Sequence, residues 1–141
     1  MIVQPYLNFG GATEEALAFY QRVLGAEILR KMRFNEAPIP PDQMMVPKGQ
    51  EAKVMHASFK VGDSILMASD GHCAGNTAMQ GISLTITVAD KAEAEKVFTA
   101  LSSEGGQPQM PPVETFFSPA FGMLADKFGV HWMIVADMPK G

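Results

Sequence analysis

Thr13-Glu14-Glu15-Ala16-Leu17-Ala18-Phe19-Tyr20-Gln21-Arg22-Val23-Leu24-Gly25 is the stretch whose reading decides the fold. Ala16, Phe19, Tyr20 and Val23 recur at i, i+3, i+4 and i+7, which draws one apolar helical face. Thr13 is the expected N-cap, Glu14 and Glu15 suit the positive end of the helix dipole, and Gly25 supplies a left-handed stop. The same register returns further along. Ala94, Val97, Phe98 and Leu101 repeat it 78 positions on, behind a capping-box-like Asp90 with Glu93, and Gly105-Gly106 is expected to end this second helix.

Outward from the first helix, Ile2 to Phe9 reads as a strand closed by Gly10-Gly11, and Ala26 to Phe34 reads as another. Val54 to Val61 alternates, with Met55, Ala57, Phe59 and Val61 on one side and His56 and Ser58 on the other. Gly62-Asp63 then makes a two-residue turn into a strand at Ser64 to Ser69. Around the second helix, Ile82, Leu84, Ile86 and Val88 alternate with Ser83, Thr85 and Thr87. Strands at Phe121 to Asp126 and His131 to Ala136 follow, joined by Lys127-Phe128-Gly129-Val130. Two proline-bearing segments remain, Asn35 to Lys53 and Gln107 to Ala120, and both are expected to be loops that border a pocket and move. Asp70 to Met79 is a polar connection. The order strand, helix, strands therefore recurs, with all three final strands legible in the first half and two in the second, and two βαβββ modules, 1–70 and 79–137, are expected. Each module alone would expose a sheet face, so an α+β fold with both modules in one domain, 1–141, is expected.

The chain has 141 residues, enough to bury roughly 70% of its unfolded surface. Hydrophobic residues at 47% and charged residues at 18% exclude a disordered chain. A net charge of −4 with interspersed signs offers no basic patch, so nucleic acid is not an expected partner. Apolar runs are too short for a membrane span, and Met-Ile-Val-Gln-Pro does not read as a secretory signal. The single cysteine, Cys73, suits a reducing cytoplasm, which is the expected location.

Ala18-Phe19-Tyr20-Gln21-Arg22-Val23-Leu24-Gly25 resembles the F-Y-x-x-x-L-G signature of the glyoxalase/bleomycin-resistance/dioxygenase superfamily, the vicinal oxygen chelate fold. Pro5-Tyr6-Leu7 with Phe9, His56-Ala57, Ile65 to Asp70, Glu114-Thr115-Phe116, and Asp126 to Val130 followed by Trp132 look like its PhnB-like branch. That branch has often carried the label 3-demethylubiquinone-9 3-methyltransferase. Phe117 stands where a Trp is expected and His131 where Pro is usual. The resemblance implies a mixed sheet curled around a cavity, helices outside, and a homodimer. In metal-dependent members the first and last strands of each half carry one ligand apiece. Those slots fall here at Pro5 (or Gln4 or Tyr6), near Met67, at Ser83 and at Met133. At most Gln4 is a usual ligand, so neither metal nor cofactor is expected.

Tyr6, His56, Ser58, Asp70, Ser83, Thr85, Glu114, Phe116, His131 and Met133 are the expected pocket residues. His56, facing away from the apolar side of its strand, and Glu114, beside Phe116 and Phe117, are the candidate acid–base groups. Asp70 also reads as a turn residue bonding its own backbone. Met67 and Met133 are soft donors, but methionine commonly fills apolar pockets. His72 beside Cys73 has poor geometry for a nucleophile pair. Gly10-Gly11 is not completed to G-x-G-x-x-G, so nothing supports S-adenosylmethionine binding in the usual manner. The leading expectation is a metal-free protein that binds a small, largely apolar molecule. The alternative is a lyase, isomerase or dioxygenase acting on a small oxygenated substrate.

Overall fold

The computed structural model describes residues 1–40, 43, 46–71, 73–75 and 79–139. The chain divides into two compact units, Met1–Thr77 and Ala78–Gly141, so each expected module falls within one unit.

In the first unit the order is β1 (Tyr6–Asn8), α1 (Thr13–Leu24), β2 (Glu27–Arg33), β3 (Val54–Val61) and β4 (Ser64–Ser69). The sheet order is β1-β4-β3-β2, with β1 parallel to β4 and the other pairs antiparallel. The helical period seen in the sequence buries Ala16, Leu17, Phe19 and Tyr20. Tyr20 stacks on Phe59 of β3, ring centroids 5.9 Å apart and ring planes nearly parallel. The alternation along β3 thus places Ala57 and Phe59 toward α1, while His56 and Ser58 lie on the face that α1 leaves uncovered. Gly25, at φ 66°, ends the helix as expected, in a backbone region that suits glycine. Gly62-Asp63 joins β3 to β4 in two residues.

The start of α1 differs from expectation. Ala12, not Thr13, is the capping position, and no local side chain caps the helix. Asp70 does so from the far end of β4. Its Oδ1 accepts from the backbone N–H of Gly11 (2.9 Å) and Thr13 (2.8 Å), and its Oδ2 from that of Val54 (2.8 Å). Tertiary placement supplies what a local cap would otherwise give. On the helix's outer side, a hydrogen bond from Arg33 holds the Glu14 carboxyl at about 2, against a usual 4.5, with Lys31 assisting. A lowered carboxylate favours the fold above the ordinary value, and that contribution fades as pH falls from 4.5 towards 2. The pair is exposed and screened by salt.

The second unit repeats the plan: β5 (Leu84–Val88), α2 (Lys91–Leu101), β6 (Gln107–Thr115), β7 (Ser118–Ala125) and β8 (His131–Ala136), in sheet order β5-β8-β7-β6. Asp90 caps α2 locally, accepting from the N–H of Glu93 at 2.9 Å. The helix stops at Leu101, four residues before the expected glycine pair, because Ser102 and Ser103 return their hydroxyls to carbonyls of the last turn. Gly122 of β7 lies under Phe98, where a Cβ would meet the ring at 3.0 Å and the Met110 carbonyl at 3.2 Å, so the ring would have to give way slightly. Trp132, Ile134 and Ala136 are buried, as is Leu124.

The proline-rich segment is the main correction. Gln107 to Ala120 is not a loop but β6, a two-residue connection at Phe116-Phe117, and the start of β7. Pro108, Pro111 and Pro112 are accommodated because β6 is the sheet's edge strand and its pairing with β7 shifts register around them. The other expected loop, Asn35 to Lys53, lies partly outside the described residues. Its ends are tied by Phe34 N–H to Lys53 O (3.0 Å) and Asn35 N–H to Glu51 O (2.9 Å).

Asp70→Ala would strand three backbone donors, two of them in bonds that are fully buried. It should lower unfolding free energy by about 3 kcal/mol, read as a shifted urea midpoint with unchanged slope. A change below about 0.5 kcal/mol would remove Asp70 from this role.

Candidate functional site

The uncovered face of the first sheet gathers residues far apart in sequence. Register pairs Tyr6 with Met67, Met67 with Ser58, and Ser58 with Arg30, one row across all four strands. His56 lies two residues along β3 from Ser58, and so on the same face, paired with Met32 of β2. Tyr6 reaches over β4 to it. The phenol oxygen is 3.1 Å from His56 Nδ1, and the rings are 5.7 Å apart. In the Nε2–H tautomer the Tyr6 hydroxyl donates to Nδ1, leaving Nε2–H to serve a bound molecule. Tyr6 is 45% exposed and His56 and Ser58 are half-buried, so this couple is reachable from solvent in its unit.

The uncovered face of the second sheet is built differently. Thr85, Met133, Met123 and Met110 form one row across β5, β8, β7 and β6. The Thr85 hydroxyl donates to Met133 Sδ at 3.7 Å. His131 lies two residues before Met133 on the same face, and its Nδ1 is 3.5 Å from Gln109 Nε2. Phe121 packs edge-on against Phe117, which meets Phe116 in the same way. Sequence reasoning picked out Met133, Thr85 and His131 but missed Met123 and Met110. Alternation along β7 carried the signal for Met123. The proline-rich reading of β6 hid Met110.

Asp70, Glu114, Phe116 and Ser83, also expected at a pocket, lie off these two rows. Asp70 is 1% exposed, with both oxygens occupied by backbone N–H groups, so it serves the fold. Glu114 lies exposed on edge strand β6, and Phe116 is 94% exposed at its hairpin connection. Ser83 precedes β5 and is exposed. Of the pair His72 and Cys73, His72 lies outside the described residues. Burial, with Asp70 nearby, pushes the Cys73 thiol up, which disfavours the reactive thiolate.

Chelating a divalent ion would fall to the first and last strands of each unit. Their paired, uncovered residues are Tyr6 with Met67 and Thr85 with Met133. Phenol, hydroxyl and thioether donors do not fit Mg²⁺, Mn²⁺ or Zn²⁺, which take carboxylate or imidazole. Among the described residues no three His, Cys, Asp or Glu side chains gather where they could share an ion.

Tyr6→Phe should remove the one bond to His56 Nδ1 seen here and displace that nitrogen in imidazole ¹⁵N spectra, with backbone signals beyond the sheet face unmoved. An unchanged Nδ1 resonance would mean that the couple does not form in solution.

The model of the family described as 3-demethylubiquinone-9 3-methyltransferase matches residues 2–135. Protein YjdN of Escherichia coli (strain K12) is 35% identical over 95% of this chain and 94% of its own length. Protein PA1353 from Pseudomonas aeruginosa is 39% identical with TM-score 0.83, covering 99% of each chain. A PhnB protein from Bacillus cereus, described as a putative 3-demethylubiquinone-9 3-methyltransferase, is 30% identical with TM-score 0.78, over 96% of this chain and 99% of that one. For fold alone, a glyoxalase-related enzyme from Fulvimarina pelagi gives TM-score 0.66 at 17% identity, over 100% of this chain and 92% of that one. Two βαβββ units, a mixed sheet in each, and similarity along nearly the whole length lead to one assignment: the chain belongs to the 3-demethylubiquinone-9 3-methyltransferase family, with a fold it shares with a glyoxalase-related enzyme.

Proposed function

We propose that this protein binds a small, largely apolar molecule carrying one hydrogen-bonding group, and does so without a divalent metal ion. The observation that carries the reading is the Tyr6–His56 couple on an uncovered sheet face, beside Ser58 and Met67. It is a polar anchor beside the thioethers of Met67 and Met32, with Arg30 at the end of the row, a few polar groups among softer side chains as small-molecule sites favour. In the second unit, Thr85, His131 and Met133 present a comparable mixture. Thioether and hydroxyl groups at the chelating positions support the metal-free part. The family's methyltransferase description gains no support from the chain, because no glycine-rich nucleotide loop is present.

The reading includes a homodimer in the cytoplasm. Apolar side chains left exposed on each unit, Ile2 and Val3 on one and Phe116 on the other, are surface that a second copy would cover.

The test is a calorimetric or thermal-shift screen of small aromatic and aliphatic oxygenated compounds, with EDTA and then with added Mn²⁺ or Zn²⁺. The expected outcome is binding indifferent to metal and weakened about tenfold or more by His56→Ala, in line with a lost hydrogen bond of 1.5 kcal/mol or so. Binding that requires stoichiometric metal, or turnover that His56→Ala abolishes, would favour an enzyme instead. Light scattering on the same samples should give a mass well above the 15.2 kDa of one chain.

A further inference from the structure

Met110, Met123 and Met133 occupy consecutive positions on three neighbouring strands of the second sheet. Met123 and Met133 pair directly and point to the same side, with Cβ atoms roughly 4.5–5.5 Å apart, and Met110 pairs with Met123 between two register shifts of β6. All three side chains are half-buried, reachable but shielded from bulk water. Methionine has three rotatable bonds beyond its backbone, so the outer two sulfurs can lean over the central one. His131, two residues from Met133 on the same strand and face, adds an imidazole at the edge of the row. Its recorded contact, 3.5 Å to Gln109, is long for a hydrogen bond and easily given up.

We propose that this row binds one soft monovalent ion, Cu(I), through the sulfurs of Met110, Met123 and Met133 with His131 as the fourth donor. Thioethers select Cu(I) over harder ions, and a row with no carboxylate offers nothing to Mg²⁺ or Mn²⁺. On one side the row is flanked by paired apolar residues, Phe121 with Val135 and Val113, which disfavours a doubly charged ion more than a singly charged one. Thr85 engages Met133 Sδ through only one of its lone pairs, and its hydroxyl orients that sulfur. The four donors all belong to the second unit, whereas the Tyr6–His56 couple belongs to the first.

The test uses the full chain carrying Cys73→Ser, so that the thiol cannot capture the ion, and Ag(I) as a redox-stable probe beside Cu(I) held by a competing chelator. The protein should take up one equivalent, with sulfur neighbours in the first coordination shell by X-ray absorption. Combining Met110→Leu, Met123→Leu and Met133→Leu keeps side-chain volume and should abolish uptake. Trp132 fluorescence reports whether the fold survives. Should the triple variant not fold, Met123→Leu alone decides, with an expected loss of at least about tenfold, the least that losing even an outer-shell partner costs. No uptake by the Cys73→Ser protein, or uptake unchanged in the leucine variants, would overturn the site. His56→Ala should leave Ag(I) uptake unchanged, which separates failure here from failure of the ligand-binding reading.

Discussion

Asp70 carries a carboxylate into the interior of the first unit, a placement that costs several kcal/mol unless its oxygens are met. They are met by three backbone N–H groups from three places: the glycine turn after β1, the first residue of α1, and the first residue of β3. One side chain therefore fixes where the helix begins, how β1 turns into it, and where β3 enters beside β4. Lys53, immediately before β3, donates to the Gly11 carbonyl at 2.9 Å and closes the same joint. With that joint set, β1 lies parallel to β4 in the register that carries Tyr6 to His56.

The second unit meets the same need with different residues. Asp90 caps α2 from its own turn, and a second buried carboxylate, Asp126, braces the hairpin instead. Its oxygens accept from Phe128 and Val130 N–H and from Trp132 Nε1. This positions Trp132 against α2 and leaves His131 and Met133 on the opposite side of β8. In both units a satisfied buried aspartate sets strand register, and register decides which side chains share the uncovered face.

The two uncovered faces differ in chemistry although the units share a plan. The first combines phenol, imidazole, hydroxyl, the Arg30 guanidinium and the thioethers of Met32 and Met67, suited to anchoring a polar group. The second is a row of thioethers with aromatic rings nearby. A common scaffold supports unlike sites because the helix-covered face holds the fold while the other face is free to vary.

Local patterns in the sequence determined both helices, the Gly62-Asp63 turn, the Gly25 stop, the Asp90 cap and the sidedness of β3 and β8. Each depends on residues within a few positions of one another, so period and turn chemistry suffice. The family signature lies on the first helix for the same reason. Tertiary structure alone decided the rest. Proline-rich residues 107–115 became a strand because β7 offered pairing that an edge strand can accept with shifted register. Asp70, legible as a turn residue, became the cap of a helix 57 positions earlier. The Tyr6–His56 couple and the methionine row depend on pairings between strands distant in the chain. A one-residue slip in register would turn every such side chain to the other face, and only the packed sheet fixes that choice.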